Sequence, residues 1–271
     1  NQIVEAFRNA PSIESHQSGM DDWLLGRLSE SRKRWVEAMN NVSLREGVMI
    51  SHFEMLSDWQ WYRRRGGSNK TTIQRYMSNW AEMLAPATPH LAEEFWDSLG
   101  RDGLLASNTL SDLSDLSSKD WSHTLAMEEY LRELIDSARN IKILAQKHSE
   151  KPLTKMVIQT SPLWKSELAS DAIEMSLSDF DFKAKGQDYL KNLPIFSNES
   201  LRGEIFQTWM SMTSGTKKKR GRINTWSYGQ KTLLRNGFDE SSMINMNSSF
   251  IANSLGAVSY THLTLPTTYH V

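Results

Sequence analysis

Cysteine is absent from the 271 residues. That excludes disulfides, thiolate nucleophiles and cysteine-ligated zinc. No apolar run approaches about 18 residues, so no membrane-spanning helix is expected. The opening "NQIVEAFRNAP" has no basic stretch followed by an apolar one, so no secretory leader is expected there. Neither sign of charge is in excess: 31 Lys and Arg against 32 Asp and Glu give a net charge of −1. Any contact with nucleic acid must therefore come from local patches. No glycine-rich phosphate loop follows a strand pattern, and no metal site is expected. What remains is the composition of an ordinary soluble protein, 39% hydrophobic and 23% charged, with a cytoplasmic location expected. The length suits one large domain or two small ones. There is no initiating Met, and Ile3, Val4 and Phe7 read as the last turns of a helix, as a fragment would begin.

Periodicity is the strongest positive signal. From Asp21 the positions Leu24, Leu28, Ser31, Trp35, Ala38/Met39 and Val42 recur at steps of three and four, one face of an α-helix. Asp21 or Asp22 is the expected N-cap. A second helix follows with Leu44, Val48, His52, Met55, Trp59 and Tyr62 on its apolar face. The stretch "RRGGSN" ends it, with Gly66 or Gly67 suited to a left-handed cap. A third helix carries Ile73, Tyr76/Met77, Trp80 and Met83/Leu84. Short connections between amphipathic helices imply antiparallel neighbours, hence a bundle. Trp35, Trp59, Trp80 and Trp96 fall on apolar faces and read as core.

Only seven prolines occur, and two of them, Pro86 and Pro89, stand close together. Proline lacks the N–H donor and clashes with the preceding helical turn, so the third helix should stop near Ala85. Thr88 then offers an N-cap oxygen, with Pro89 at the first helical position. Glu93 and Glu94 occupy early turns, where negative charge suits the helix dipole. Leu91, Phe95 and Leu99 form a buried face, and Gly100 ends the element. His90 has a structural reading at this joint, and a catalytic one only if a partner stands at defined spacing; none is visible in the sequence.

"DDWLLGRLSES" (21–31), "LSDWQWYRRR" (56–65) and "LAPATPHLAEEFWDSLG" (84–100) together resemble the anticodon-binding-type bundle of leucyl-tRNA synthetase, in its archaeal and eukaryotic cytosolic form. The matching positions are Trp61, Tyr62, Arg64 and Arg65, then Ala85, Pro86, Thr88, Pro89 and His90, then Glu93, Glu94, Trp96, Leu99 and Gly100. The related valyl and isoleucyl enzymes share the bundle and the proline joint, but commonly carry Phe after the second proline. The resemblance covers roughly residues 1–105. It implies a mainly α chain: an antiparallel helix bundle of the class I anticodon-binding type over 1–110 and a small α+β domain over 123–256; between them "SDLSDLSSKDW" departs from the family and reads by composition as a polar linker over 111–122. In that second domain a helix over 127–145 is followed by a strand, Met156 to Gln159, and by a helix opening near "SPLW". "FDESSMINMNSSFIANSLG" (238–256) resembles the family's last helix, and residues 213–237 match nothing in it. "SYTHLTLPT" looks like translated adapter sequence, so 257–271 are read as a non-native tail.

The resemblance implies ATP-dependent activation of leucine and its transfer to tRNA, with ATP and Mg2+ serving the parent enzyme. The His-x-Gly-His and Lys-Met-Ser-Lys-Ser motifs that carry this chemistry do not occur here. Neither does the editing domain. The stretch is therefore expected to hold no cofactor, contribute no catalytic residue and be inactive alone. Its implied partners are leucine tRNA and the missing N-terminal catalytic domain of the same chain.

Phosphate contacts need cations on a rigid surface. Arg63, Arg64 and Arg65, with Lys70 just beyond, form one candidate cluster. Arginine at a helix C-terminus also complements the dipole and stacks on aromatics, so a capping role stays open. Lys217, Lys218, Lys219, Arg220 and Arg222 form the second, and "INTWSYG" supplies aromatics able to stack on an unpaired base. A solvated basic loop is the alternative. For the whole chain three further readings stand: a helical protein–protein scaffold, the equivalent bundle of a valyl- or isoleucyl-tRNA synthetase, and a hydrolase using His90 with Glu93 or Glu94.

Overall fold

Asp21 sets the start of the first long helix by reaching backwards. Its carboxylate accepts the Ser18 backbone N–H at 2.6 Å and the Ser18 hydroxyl at 2.8 Å. Ser18 is therefore the cap residue, in place of the expected Asp21 or Asp22, and the helix opens at Gly19. The computed structural model describes residues 2–9, 18–148, 156–178, 180–214 and 222–256. These fall into two compact units dividing between Leu125 and Ala126. Among the described residues no helix is long and apolar enough to cross a membrane, and no strand occurs.

In the first unit, α1 (Gln2–Arg8) buries Ile3, Ala6 and Phe7. The Phe7 ring stacks on Phe95 at 3.9 Å between centroids, so α1 closes part of the bundle core. α2 (Gly19–Asn40) buries Leu24, Leu28, Ser31, Trp35 and Ala38 as the periodicity requires. Val42 does not join them: it takes a positive φ of 57° after the helix and is 76% exposed.

Next comes one helical rod in three parts: α3 (Leu44–Val48), a π-helical segment (Met49–Glu54) and α4 (Met55–Arg64). The π turn shifts the buried face. Before it Gly47 is buried and Leu44 exposed, within it Ile50 and Ser51 are buried, and after it Met55, Trp59 and Tyr62 are buried as expected. Two donors from the next helix meet this region. The Trp80 indole N–H donates to the Ser51 carbonyl at 2.6 Å, and the Tyr76 hydroxyl donates to the Met55 carbonyl at 2.8 Å. Both bonds satisfy buried side-chain donors of α5 and fasten it to the π segment and to the residue that follows it.

α5 (Lys70–Leu84) is the central helix, with Ile73, Tyr76, Met77, Trp80, Met83 and Leu84 all buried. It stops where Pro86 requires, and α6 (Pro89–Ser98) starts with Pro89 in its first turn. Thr88 does not cap with its side chain. Its hydroxyl donates back to the Leu84 carbonyl at 3.2 Å, bridging the joint from the helix already ended. A 3-10 turn (Leu105–Ser107) and α7 (Ser114–Ser117) follow.

Residues 111–122 have a linker's composition, yet the structure puts most of them on the first unit. Leu113 and Leu116 are buried, the Ser111 N–H and hydroxyl both donate to the Glu82 carboxylate, and Arg75 pairs with Asp115. Two leucines at a spacing of three bury enough surface to pin a short polar segment.

α8 (Ser122–Lys147) spans the dividing point. The second unit continues with α9 (Leu163–Leu177), α10 (Phe182–Asn192), α11 (Arg202–Thr213), α12 (Tyr228–Arg235), α13 (Glu240–Met246) and α14 (Ser248–Ser254). Short 3-10 turns lie at Pro194–Ser197 and Arg222–Asn224. Its core gathers Leu168, Ala172, Ile173, Leu190, Ile205, Trp209 and Ile223. Gly186 fits α10 against the Trp209 indole, where a Cβ would stand 2.9 Å from Nε1. The expected strand from Met156 to Gln159 is irregular chain, and the α+β character of 123–256 is absent from the described residues. A strand exists only through its ladder, and no second described strand offers one. The helix near "SPLW" does open there, after Pro162. The family-like last helix is two short ones, α13 and α14, broken at Asn247. The tail 257–271 lies outside the described residues.

Candidate nucleic-acid interface

The corner between α4 and α5 is built around Tyr62. Gly66 (φ 85°) donates its N–H to the Arg63 carbonyl at 3.1 Å, and Gly67 donates to the Tyr62 carbonyl at 2.9 Å. This double closure ends α4, and only glycine takes the left-handed turn at Gly66 without strain. Gly67 is constrained differently: a Cβ there would lie 2.3 Å from the Tyr62 ring. The Tyr62 hydroxyl donates to Asp21 Oδ1 at 2.6 Å and accepts the Asn69 N–H at 3.1 Å. Burial, and then the adjacent Asp21 carboxylate, push the phenol above its usual range, so it stays a donor at any working pH. Asn69 in turn caps α5 by accepting the Thr72 N–H at 3.0 Å. One hydroxyl thus ties the loop to the start of α2 and to the start of α5.

The structure brings Arg63, Arg64, Arg65 and Lys70 to the same end of the α4–α5 hairpin. Their surroundings differ. Arg63 donates to the Gly67 carbonyl and lies over the Trp59 ring at 5.8 Å, which makes it part of the cap. Arg64 is exposed and lies over the Trp61 ring at 5.3 Å. Arg65 and Lys70 are half-buried. Trp61 is only 6% exposed, so it backs the arginine and offers no face to a base. Among the described residues the corner gathers cations with no carboxylate paired to Arg63 or Arg64, a surface suited to an anion.

Of the second cluster, Lys217, Lys218, Lys219 and Arg220 lie outside the described residues, and so does the side chain of Arg222, whose backbone opens a 3-10 turn. No geometry connects the two clusters.

The proline joint brings no catalytic partner to His90 among the described residues. His90 is exposed on the first turn of α6. Glu93 cannot serve it, because its two carboxylate oxygens accept the Leu105 and Ala106 N–H groups, both at 2.8 Å. Glu94 is exposed. Trp96 is buried, with the Arg101 guanidinium 5.8 Å from its ring centre, and Gly100 takes a positive φ of 67° to end the turn. Among the described residues no three His, Asp or Glu side chains converge as metal ligands would. Pro86 and Pro89 act through backbone geometry alone.

Periodicity gave no sign of the ionic groups that tie α2 to α4 and α5. Arg32 pairs with Glu82 at 2.8 Å and Arg27 with Asp58 at 2.9 Å, all from helix positions that read as polar faces. The one available signal was their place one turn from core residues, as Asp58 stands beside Trp59.

Comparison with known proteins now bears on this geometry. The family model described as the anticodon-binding domain of tRNA ligase matches residues 21–157, half of the chain. Leucine–tRNA ligase of Methanococcus maripaludis is 27% identical over 256 residues, covering 90% of this chain and 24% of that protein. The leucine–tRNA ligase of Methanothrix thermoacetophila is 32% identical over 175 residues, covering 65% of this chain and 17% of its own. That of Archaeoglobus fulgidus is 33% identical over 123 residues, 45% of this chain and 13% of its own. The chain spans about a quarter or less of the length of these curated relatives. The match takes in α2 from Asp21 onward, the basic corner and the proline joint, and the chain belongs to the family of anticodon-binding domains of tRNA ligases.

Proposed function

We propose that this chain is the tRNA-holding portion of a leucine–tRNA ligase. The observation that carries the reading is the extent of the likeness: it runs over 90% of the chain, well past the matched family domain, and the relatives it meets are leucine–tRNA ligases. In this reading the bundle presents the α4–α5 corner to a phosphate backbone, with Arg64, Arg65 and Lys70 as contacts and Arg63 holding the loop in shape. Lys217, Lys218, Lys219, Arg220 and Arg222 add a second set of cations. The partners are leucine tRNA and the catalytic portion of the enzyme. ATP and Mg2+ serve leucine activation in that portion, and no step of the activation or transfer chemistry is assigned to residues of this chain.

The corner works by rigidity. A phosphate contact gains most when the cation is already in place, because ordering a long side chain costs affinity. The Tyr62–Asp21–Asn69 bonds and the stacking of Arg64 on Trp61 supply that order before RNA arrives. Replacing Arg64 and Lys70 together by Gln should weaken binding of leucine tRNA and lower the slope of log affinity against log salt by about one per lost phosphate contact. The thermal melting temperature should stay where it was. An unchanged slope with an unchanged fold would remove the corner from the interface.

A further inference from the structure

The second unit holds a cleft of about 340 Å³ that the reading above does not use. Three aromatic side chains line it, Tyr130, Trp226 and Phe238, the first and last meeting edge to face at 5.0 Å. Its charged groups are unequal in what they have left to offer. Glu240 accepts both the Tyr130 hydroxyl and the Ser161 N–H, the latter at 2.7 Å. Asp239 caps α13 through Ser242. Lys165, the single cation among the described residues of the wall, pairs with Glu204 at 2.6 Å. Glu133 is exposed and makes no hydrogen bond or ion pair with any described residue. Among the described residues the cleft therefore offers aromatic walls, one carboxylate ready to accept, and no unpaired cation.

That combination rejects a phosphate and accepts a flat group bearing an N–H donor edge. Chain connectivity names the larger molecule. Trp226 stands four residues after Arg222, at the end of the run Lys217–Arg222, so the wall of the cleft is covalently tied to the most basic segment of the chain. Such a segment draws a polyanion, and an aromatic cleft a few residues along the same chain takes that polyanion's planar units. We propose that this cleft receives one unstacked nucleobase carrying an exocyclic amine, with Trp226 and Phe238 against its faces and Glu133 accepting from the amine. The proposal rests on the RNA-holding reading and gives it a base-selective site. Cytosine carries that exocyclic amine, whereas uracil, of the same size, has a carbonyl in its place, and a carboxylate accepts from the amine and repels the carbonyl.

The test uses the full 271-residue chain and two single-stranded hexanucleotides, all cytidine and all uridine, whose phosphates are identical. The cytidine hexamer should bind about tenfold more tightly, the discrimination of one good base contact. Glu133→Ala should abolish the preference while leaving the uridine hexamer's affinity unchanged. Ser211→Trp, filling the cleft from an exposed position on its wall, should abolish it as well. Equal binding of the two hexamers by the parent chain, or a preference that survives both variants, overturns the proposal and leaves the phosphate-holding reading standing. Failure of both hexamers and of leucine tRNA to bind would sink that reading instead. Cytidine monophosphate is the remaining arm. It should compete only at far higher concentration than the hexamer, and equal competition would assign the cleft to free nucleotides and overturn the assignment to RNA.

Discussion

Glu82 is a carboxylate in the interior of the first unit, 3% exposed at its side chain, and three bonds keep it there. Arg32 donates to it, and so do the N–H and hydroxyl of Ser111. A buried pair adds little over a well-packed apolar pair, but removing one partner strands the other charge. Glu82→Ala should therefore lower the unfolding free energy by about 3 kcal/mol, read from denaturant melts, and should also release residues 111–117 to proteolysis. A loss well under 1 kcal/mol would mean the pair is solvated. His52 gives a pH-dependent counterpart. Burial holds its imidazole below the ordinary histidine value of 6.5, partly offset by a hydrogen bond involving the Val48 backbone. Nδ1 lies 2.8 Å from the Ser51 hydroxyl oxygen. The folded state then binds fewer protons than the unfolded chain as the pH falls through 6.5, so stability present above that value is lost on acidification. His52→Gln should flatten the melting temperature between about pH 7.5 and about pH 5.5. An equal decline in both proteins would place the acid sensitivity elsewhere. The apolar-face position of His52 was legible in the sequence. The roles of Asp21, Asp58 and Glu82 were not, because an acidic residue on a helix reads the same whether it faces water or a buried arginine.

At the scale of the element, the sequence marks where helices stop better than where they start. Pro86 ended α5 within a residue of the expected place, since a missing N–H leaves no alternative. Starts depend on which side chain reaches which amide. Asp21 looked like a cap and is instead the residue that bonds back to one. Thr88 looked like a cap and turns its hydroxyl to Leu84. Asn69→Ala should thus cost about 1 kcal/mol, the usual effect of losing a side-chain cap, and Thr88→Ala clearly less. Chemical denaturation of the two variants checks the order, and the reverse order would contradict it. The π turn at Met49–Glu54 escaped the sequence for a different reason. A period of 3.6 carried across it puts Leu44 and Val48 on the wrong face, and what holds the wide turn is a pair of donors from α5, far along the chain. The expected strand at Met156 failed because a strand needs a partner that one segment cannot reveal.

For the molecule, the account makes this chain a passive holder of RNA. A net charge of −1 spread evenly would repel a polyanion, so binding must come from clusters such as Arg63–Arg65 with Lys70 and the run Lys217–Arg222. Most of the first unit could be read beforehand, because its helices are amphipathic and its joint is written in prolines. The second unit could not, since its core joins residues as far apart in the chain as Leu168 and Ile223 and its motifs are sparse. The direct test is the affinity of the full chain for leucine tRNA, measured by filter retention from about 50 to about 300 mM salt. Binding that falls steeply, with a log–log slope of about −3 or steeper, is expected for several phosphates gripped at once. Binding that is absent at low salt, or indifferent to salt, would contradict the account.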